Sequence, residues 1–341
     1  MRNLKKRNIY TSIAASTAML VLILDSKTAL SGAAEGIHLC LKTLIPSLFP
    51  YFVLSNILTG ALYGQTLPFL RPIASVCKIP AGACTLFAVG LLGGYPAGAR
   101  NVAEMHRVGG LSTNQASRMI VFCNNAGPAF IFGILQPLFS DPMIPWLLWI
   151  VHMISALVVG MSLPRASIDD CLHPLSRPIK LTDALERAVH AMTAVCGWVV
   201  LIRTILAFLD RCLLHLLPIY AQVALAGLLE LSNGCLRLGL IENESLRFML
   251  AAAMIAQGGI CITLQTASVA DDIPLNLYFP GKILQCSVSI LLSCLLIPLV
   301  FPEFYFNLVP VAVLSVAAIA GCLLSLRNFK NTSRIPTFLG V

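Results

Sequence analysis

The stretch Gly90-Leu-Leu-Gly93-Gly94-Tyr95-Pro96-Ala97-Gly98-Ala-Arg100 packs four glycines, a proline and a cation into eleven residues. It follows an apolar run, Ala81 to Leu92, that is too short to cross a bilayer as a helix. Non-helical backbone at membrane depth leaves peptide groups without partners, so it is tolerated only where it packs on protein or lines a water-filled cavity. A second interruption, Asn124-Asn125-Ala-Gly127-Pro128, falls in the middle of Met119 to Phe139, which is long enough to span. Paired broken helices near the midplane point to a transporter's binding site, where freed peptide ends and side-chain amides meet a solute.

The composition agrees with a membrane setting. Of 341 residues, 57% are hydrophobic and only 11% charged, against about 25% charged in ordinary soluble domains. The net charge of +8 does not indicate nucleic acid, because the basic residues are dispersed among apolar spans without a basic face or interleaved aromatics. It indicates orientation instead. Twelve cysteines stand singly, with no Cys-x-x-Cys and no Cys/His cluster at metal spacing, so they behave as small hydrophobes and neither a metal nor another cofactor is called for.

Elements that could position the two interruptions follow in order. Ile9 to Leu24, preceded by Arg2, Lys5, Lys6 and Arg7, reads as a first helix with its N-terminus in the cytoplasm; a cleaved signal peptide is the lesser alternative. Ala29 to Leu41 and Pro68 to Pro80 read as interfacial pieces, Leu44 to Leu62 and Met143 to Leu163 as spans, and Arg100 to Arg118 as a polar segment. Pro164 to Lys180 divides the chain, after which the order recurs. Leu181 to His190 is amphipathic and Ala194 to Leu214 spans. Pro218 to Glu230 is too short to cross and ends in Leu231-Ser232-Asn233-Gly234, and Phe248 to Ser268 spans with a break at Gln257-Gly258-Gly259. Leu277 to Phe301 and Leu308 to Leu326 complete the set. Weak internal symmetry of this kind marks transporter folds.

The expected architecture is an all-α polytopic membrane protein with two inverted repeats, each holding a re-entrant hairpin and a broken transmembrane helix. Residues 1–35 form a first helix and linker, 36–163 the first repeat, 164–180 the connector, 181–301 the second repeat, and 302–341 a last helix and tail. In this topology both termini are cytoplasmic, and sixteen of the 23 basic residues fall inside, five outside, and two, Arg203 and Lys282, within spans. Arg203 needs a partner; Lys282 reaches the interface.

Two motifs carry a family likeness. Gly93-Gly94-Tyr95-Pro96-Ala-Gly98-Ala-Arg100 resembles the Ser-Gly-Tyr-Pro-x-Gly-Ala-Lys motif of the sporulation integral membrane proteins called YlbJ or SpoVV. Phe122-Cys-Asn124-Asn125-Ala-Gly127-Pro128-Ala-Phe130-Ile131-Phe132-Gly133 resembles that family's Phe-x-Asn-x-x-Asn-Pro-x-Phe-Ile-Phe-Gly. Gly227-Leu-Leu-Glu230, Gly258-Gly259 and Gln265-Thr-Ala-Ser268 are similar to the matching later segments. Gly93, Gly127 and Arg100 depart from the usual Ser, Asn and Lys. The resemblance implies a nucleoside-recognition gate domain related to concentrative nucleoside transporters, with substrate between the hairpin tips. It also implies an activity, export of dipicolinic acid from the mother cell across the outer forespore membrane during endospore formation.

A site for a flat aromatic dicarboxylate should offer peptide N–H groups at half-helix N-termini, amide donors and a cation. Gly94 and Gly98 allow close backbone approach. Asn124, Asn125, Ser232, Asn233 and Gln265 supply hydrogen bonds, and Arg100 has the planar fork for a carboxylate. Gly93, Tyr95, Pro96, Gly127, Pro128, Gly258 and Gly259 complete the candidate lining. The plainer readings are helix packing for Gly258-Gly259, an interfacial aromatic for Tyr95, and a snorkelling anchor for Arg100. Glu230 either binds a coupling cation or proton or caps the second hairpin. Partners are thus a small-molecule substrate and the lipid bilayer, with self-association into a homo-oligomer left open. No Gly-x-Ser-x-Gly, His-Glu-x-x-His, Walker A or Gly-x-Gly-x-x-Gly sequence is present, and His38, His106, His152, His173, His190 and His215 are scattered, so an enzyme is not expected. The rivals to a dipicolinate carrier are a nucleoside or other metabolite carrier of the same architecture and a non-transporting scaffold.

Overall fold

A computed structural model describes residues 2–62, 65–164, 179–270, 272–301, 304 and 307–328. Every regular element among them is helical. Seven helices are long and apolar enough to cross a membrane: Ser26–Leu62, Thr113–Leu138, Ile144–Ser162, Leu181–Cys212, Glu244–Ala270, Tyr278–Val300 and Leu308–Arg327. They correspond to the expected spans after the first; Ile9–Leu24 is shorter. Residues 165–178 of the dividing connector, with Arg165, Asp169, Asp170, His173 and Arg177, lie outside the described residues, as do Asp271, Lys330 and Arg334.

Two helical hairpins stand out. Cys84–Gly93 turns at Gly94 and returns as Ala97–Arg107, and Ile219–Leu229 turns at Glu230 and returns as Leu231–Arg237. The arms of each approach closely at paired glycines: a Cβ on Gly90 would lie 3.4 Å from Gly98 Cα, and one on Gly234 only 2.2 Å from Gly227 Cα. The first hairpin is entered through Pro68–Cys77, which is bent by 106° from Ala81–Gly93. Lys78, left-handed at φ 55, makes that corner, and Pro80 prevents the helix from continuing.

The interfacial reading of Ala29–Leu41 is corrected. This segment continues through a π-helical turn at Cys40–Leu44 into Ile45–Leu62, and Leu181–His190 likewise belongs to one helix, Leu181–Cys212. The cause is a partner helix, since the two long elements lie directly on each other. A Cβ on Gly32 would sit 2.8 Å from Ala207 Cβ, and one on Gly36 2.8 Å from Val200 Cα. Glu35, one of the polar residues that suggested a membrane surface, is paired across this contact. Arg203 donates to Glu35 and, at 3.1 Å, to Asp210, and Asp210 also accepts from Arg237 of the second hairpin at 2.6 and 2.8 Å. Asp210 therefore ties the hairpin to the long helix pair. Asp210→Asn should lower the melting temperature by roughly 2–4 °C in detergent, the shift expected of about 1 kcal/mol in a partly buried pair; an unchanged melt would make this tie energetically silent.

Arg118 is also placed differently from its expected polar segment. It is 3% exposed within Thr113–Cys123 and donates to the carbonyls of Cys77 at 2.9 Å and Lys78 at 3.0 Å. It thereby satisfies peptide oxygens at the end of Arg71–Cys77 that the helix itself leaves unpaired.

Candidate functional site

Each spanning helix that was expected to break does break. Thr113–Cys123 stops at Asn124, and helix resumes at Pro128. Pro128 suits that restart because the first helical position needs no N–H. Glu244–Gln257 stops at Gly258 (φ 80), and Gly259 (φ 81) opens the next helix. Both positive φ angles require glycine.

The breaks are wedged against the hairpins. A Cβ on Gly127 would lie 2.9 Å from Gly94 Cα, and Gly94 itself has φ +76; in the second half, a Cβ on Gly259 would lie 2.9 Å from the Gly227 carbonyl. Gly90 and Gly98 enclose the Cys123 carbonyl, and Ala99 N–H donates to Asn124 Oδ1 at 3.3 Å. Tyr95 carries the first tip across to the second break. Its hydroxyl donates to the Ile255 carbonyl at 3.1 Å, and its ring covers Gly258, where a Cβ would be 3.3 Å away.

These elements line a narrow cavity of about 40 Å³, room for water rather than for a solute in this conformation. Seven candidates line it: Gly93, Gly94, Tyr95, Gly127, Glu230, Ser232 and Gln265. Phe52, Phe130, Val195 and Ile262 give the wall its apolar character. Gln265 Oε1 is buried without a hydrogen-bond partner, which makes it the polar atom most in need of a ligand or water. Glu230 is 2% exposed, and its oxygens accept from the backbone N–H groups of Ser232 at 2.9 Å and Asn233 at 2.8 Å and from Asn233 Nδ2 at 2.8 Å. It caps the second hairpin and faces the cavity at once.

Other candidates lie outside that lining. Pro96 and Arg100 border a smaller neighbouring cavity of about 10 Å³, together with Phe52, Asn56 and Asn101. Arg100 therefore does not face the central cavity; its guanidinium reaches the Arg187 carbonyl at 3.5 Å. Asn124 and Asn125 are fully buried and use their amides within the protein. Asn124 Nδ2 donates to Thr266 Oγ1 at 2.8 Å and Tyr278 OH at 3.1 Å, whereas Asn125 Nδ2 donates to the Phe122 carbonyl at 2.5 Å. They and Asn233 hold the backbone that shapes the cavity. Gly98, Pro128, Gly258 and Gly259 do the same by close packing.

Lys282 corrects another expectation: it is 2% exposed and turned inward rather than to the interface. Its ammonium donates to the Asn124 carbonyl at 2.5 Å, Gln285 Oε1 at 2.9 Å and Tyr95 OH at 3.3 Å. His152 also serves the first break, where its Nε2 accepts from Ala126 N–H at 3.0 Å. An ionisable residue within an apolar span is the signal that could have singled out both residues.

Seven apolar spans, two hairpins and two broken helices around one buried cavity define a multi-pass membrane protein. The sporulation integral membrane protein YlbJ of Bacillus subtilis (strain 168) is 25% identical to this chain over 314 residues, covering 77% of this chain and 76% of that protein. The chain is thus a relative of a sporulation integral membrane protein, as its two motifs suggested. No protein-family model and no solved structure matches it.

Proposed function

We propose that the protein is a transporter for a small aromatic anion, with dipicolinic acid the lead substrate, acting during endospore formation as a carrier rather than an enzyme. One observation carries this reading: both hairpin tips and the first helix break line a single cavity, and the half-helix that resumes after the second break lines it through Ile262 and Gln265. The resumed helix at Pro128 directs its N-terminal end toward that cavity through Gly127 and Ala129, which favours negative charge. Glu230 is offset in place by three N–H donors, and among the described residues Lys282 has no carboxylate partner. The anion reading is supported by that helix end and by the family resemblance, and is opposed by Glu230, the one charged side chain in the described lining. The hairpin-bearing unit would move past the long pair Ser26–Leu62 and Leu181–Cys212, in a membrane orientation with both termini cytoplasmic and inverted repeats.

Glu230 and Ser232 in the wall favour a second reading, since a carboxylate and a hydroxyl also suit a neutral, hydroxyl-bearing nucleoside. Uptake of labelled dipicolinate into proteoliposomes, with uridine as competitor, separates the two. Saturable dipicolinate uptake that uridine does not inhibit is expected. Uridine transport without dipicolinate transport would reverse the assignment, and movement of neither under any ion gradient would leave a non-transporting scaffold. Within the same assay, Gln265→Leu should lower kcat/KM for uptake by about tenfold with folding intact, the equivalent of one lost buried hydrogen bond.

A further inference from the structure

The Tyr278–Val300 helix holds Lys282 against the end of the Thr113–Cys123 half-helix, where backbone carbonyls give a negative pole. The ammonium is surrounded by neutral oxygens: a peptide carbonyl, a side-chain amide and a phenol. The phenol and the amide are each aimed by a bond that does not involve the lysine. Tyr95 OH gives its proton to the Ile255 carbonyl at 3.1 Å, leaving its lone pairs for Lys282. Gln285 Nε2 donates to Asn125 Oδ1 at 3.0 Å, which turns Oε1 toward Lys282, and Asn125 is fixed in turn by Phe122 O. The rings of Tyr95 and Tyr278 close the sides, 5.2 and 5.7 Å from Nζ.

Oxygen ligands fixed in advance at an unwound helix end are what a hard coupling cation takes in a broken-helix carrier. We propose that Lys282 is a tethered cation occupying such a seat, so that the protein works without sodium, and that shortening the side chain opens an oxygen-lined site for a monovalent metal ion. The coupling half of this statement rests on the transporter reading; the seat itself is a matter of binding. It therefore has a test that needs no substrate.

Thermal unfolding of the purified full chain would be followed in choline, sodium, potassium and lithium chloride at a constant ionic strength of about 0.15 M, so that screening is equal. Wild type should melt alike in all four. Lys282→Ala should melt higher in at least one metal salt than in choline, by roughly 2–4 °C, and Lys282→Met, which fills the seat without charge, should stay flat. A wild type stabilised by sodium, or a folded Lys282→Ala that ignores all three metals, overturns the proposal. So does a metal response in Lys282→Met. Should Lys282→Ala be lost in choline, its recovery in a metal salt supports the seat; loss of both it and Lys282→Ser in every salt overturns it, because the metal would then have failed to replace the ammonium. A failed uptake assay leaves these melts untouched, and flat melts leave uptake untouched.

Discussion

Gly98→Ala is expected to separate the first hairpin from the first helix break and to abolish solute movement. The added Cβ would meet Cys123 O at 2.1 Å, Cys123 C at 2.8 Å and Asn124 Cα at 2.9 Å, all of them backbone. No flexible side-chain end is available to yield. Gly90 presses the same carbonyl from the other arm, where a Cβ would lie 2.0 Å away, so the break cannot retreat toward it. Moving away would instead break the Ala99 to Asn124 hydrogen bond and shift the carbonyl that Lys282 binds. Overpacking costs about 1–3 kcal/mol where side chains can adjust. With backbone on both sides, the upper end applies, corresponding to a melting temperature lowered by roughly 6–12 °C. The control is Gly197→Ala in the Leu181–Cys212 helix, where a Cβ meets nothing within 4 Å; alanine there should stabilise by about 0.5–1 kcal/mol. Opposite signs in thermal unfolding, and uptake lost only in Gly98→Ala, are the expected pair of results. Equal melts for Gly98→Ala and wild type would mean that the close approach is not required.

The breaks and hairpins were legible because their cause is local. Glycine, proline and asparagine interrupt a helix wherever they cluster, and runs such as Ala81 to Leu92 are too short to span. What each polar group does after the interruption is not local. Asn124 and Asn125 read as amides offered to a ligand, yet partners far along the chain, Thr266, Tyr278 and Gln285, engage them. Arg203 finds one partner in Glu35 across a helix pair that hydropathy alone split into interfacial and spanning pieces. Lys282 stands four residues inside a span, which suggests a side chain able to reach water. But Tyr278, at the start of that helix, is itself 1% exposed, so the end of the span is buried in protein and the ammonium turns inward.

Glu230→Ala should unfold the tip of the second hairpin, and Glu230→Gln should separate its capping role from its charge. The helix Leu231–Arg237 has seven residues, too few to persist without help from its ends. Alanine leaves two peptide N–H groups and the Asn233 amide unpaired in a buried tip, each at about 1–3 kcal/mol. Uptake should be lost, and hydrogen exchange at Ser232 and Asn233 should accelerate at least tenfold. Amides as protected as in wild type would remove the cap from the account. Glutamine keeps one acceptor oxygen but turns an NH₂ group toward a donor, so its stability should fall between wild type and alanine. Its effect on transport has the opposite sign for the two candidate substrates. Removing a negative charge from the wall relieves repulsion of an anion; with a unit pair at roughly 4 Å worth about 4 kcal/mol near a protein surface, even a fraction of it lowers KM for dipicolinate by tenfold or more. A nucleoside, which presents hydroxyl donors, loses its best acceptor, so KM rises. The direction in which KM moves in Glu230→Gln, measured in a protein whose hairpin still protects its amides, therefore assigns the charge of the solute independently of any competition assay.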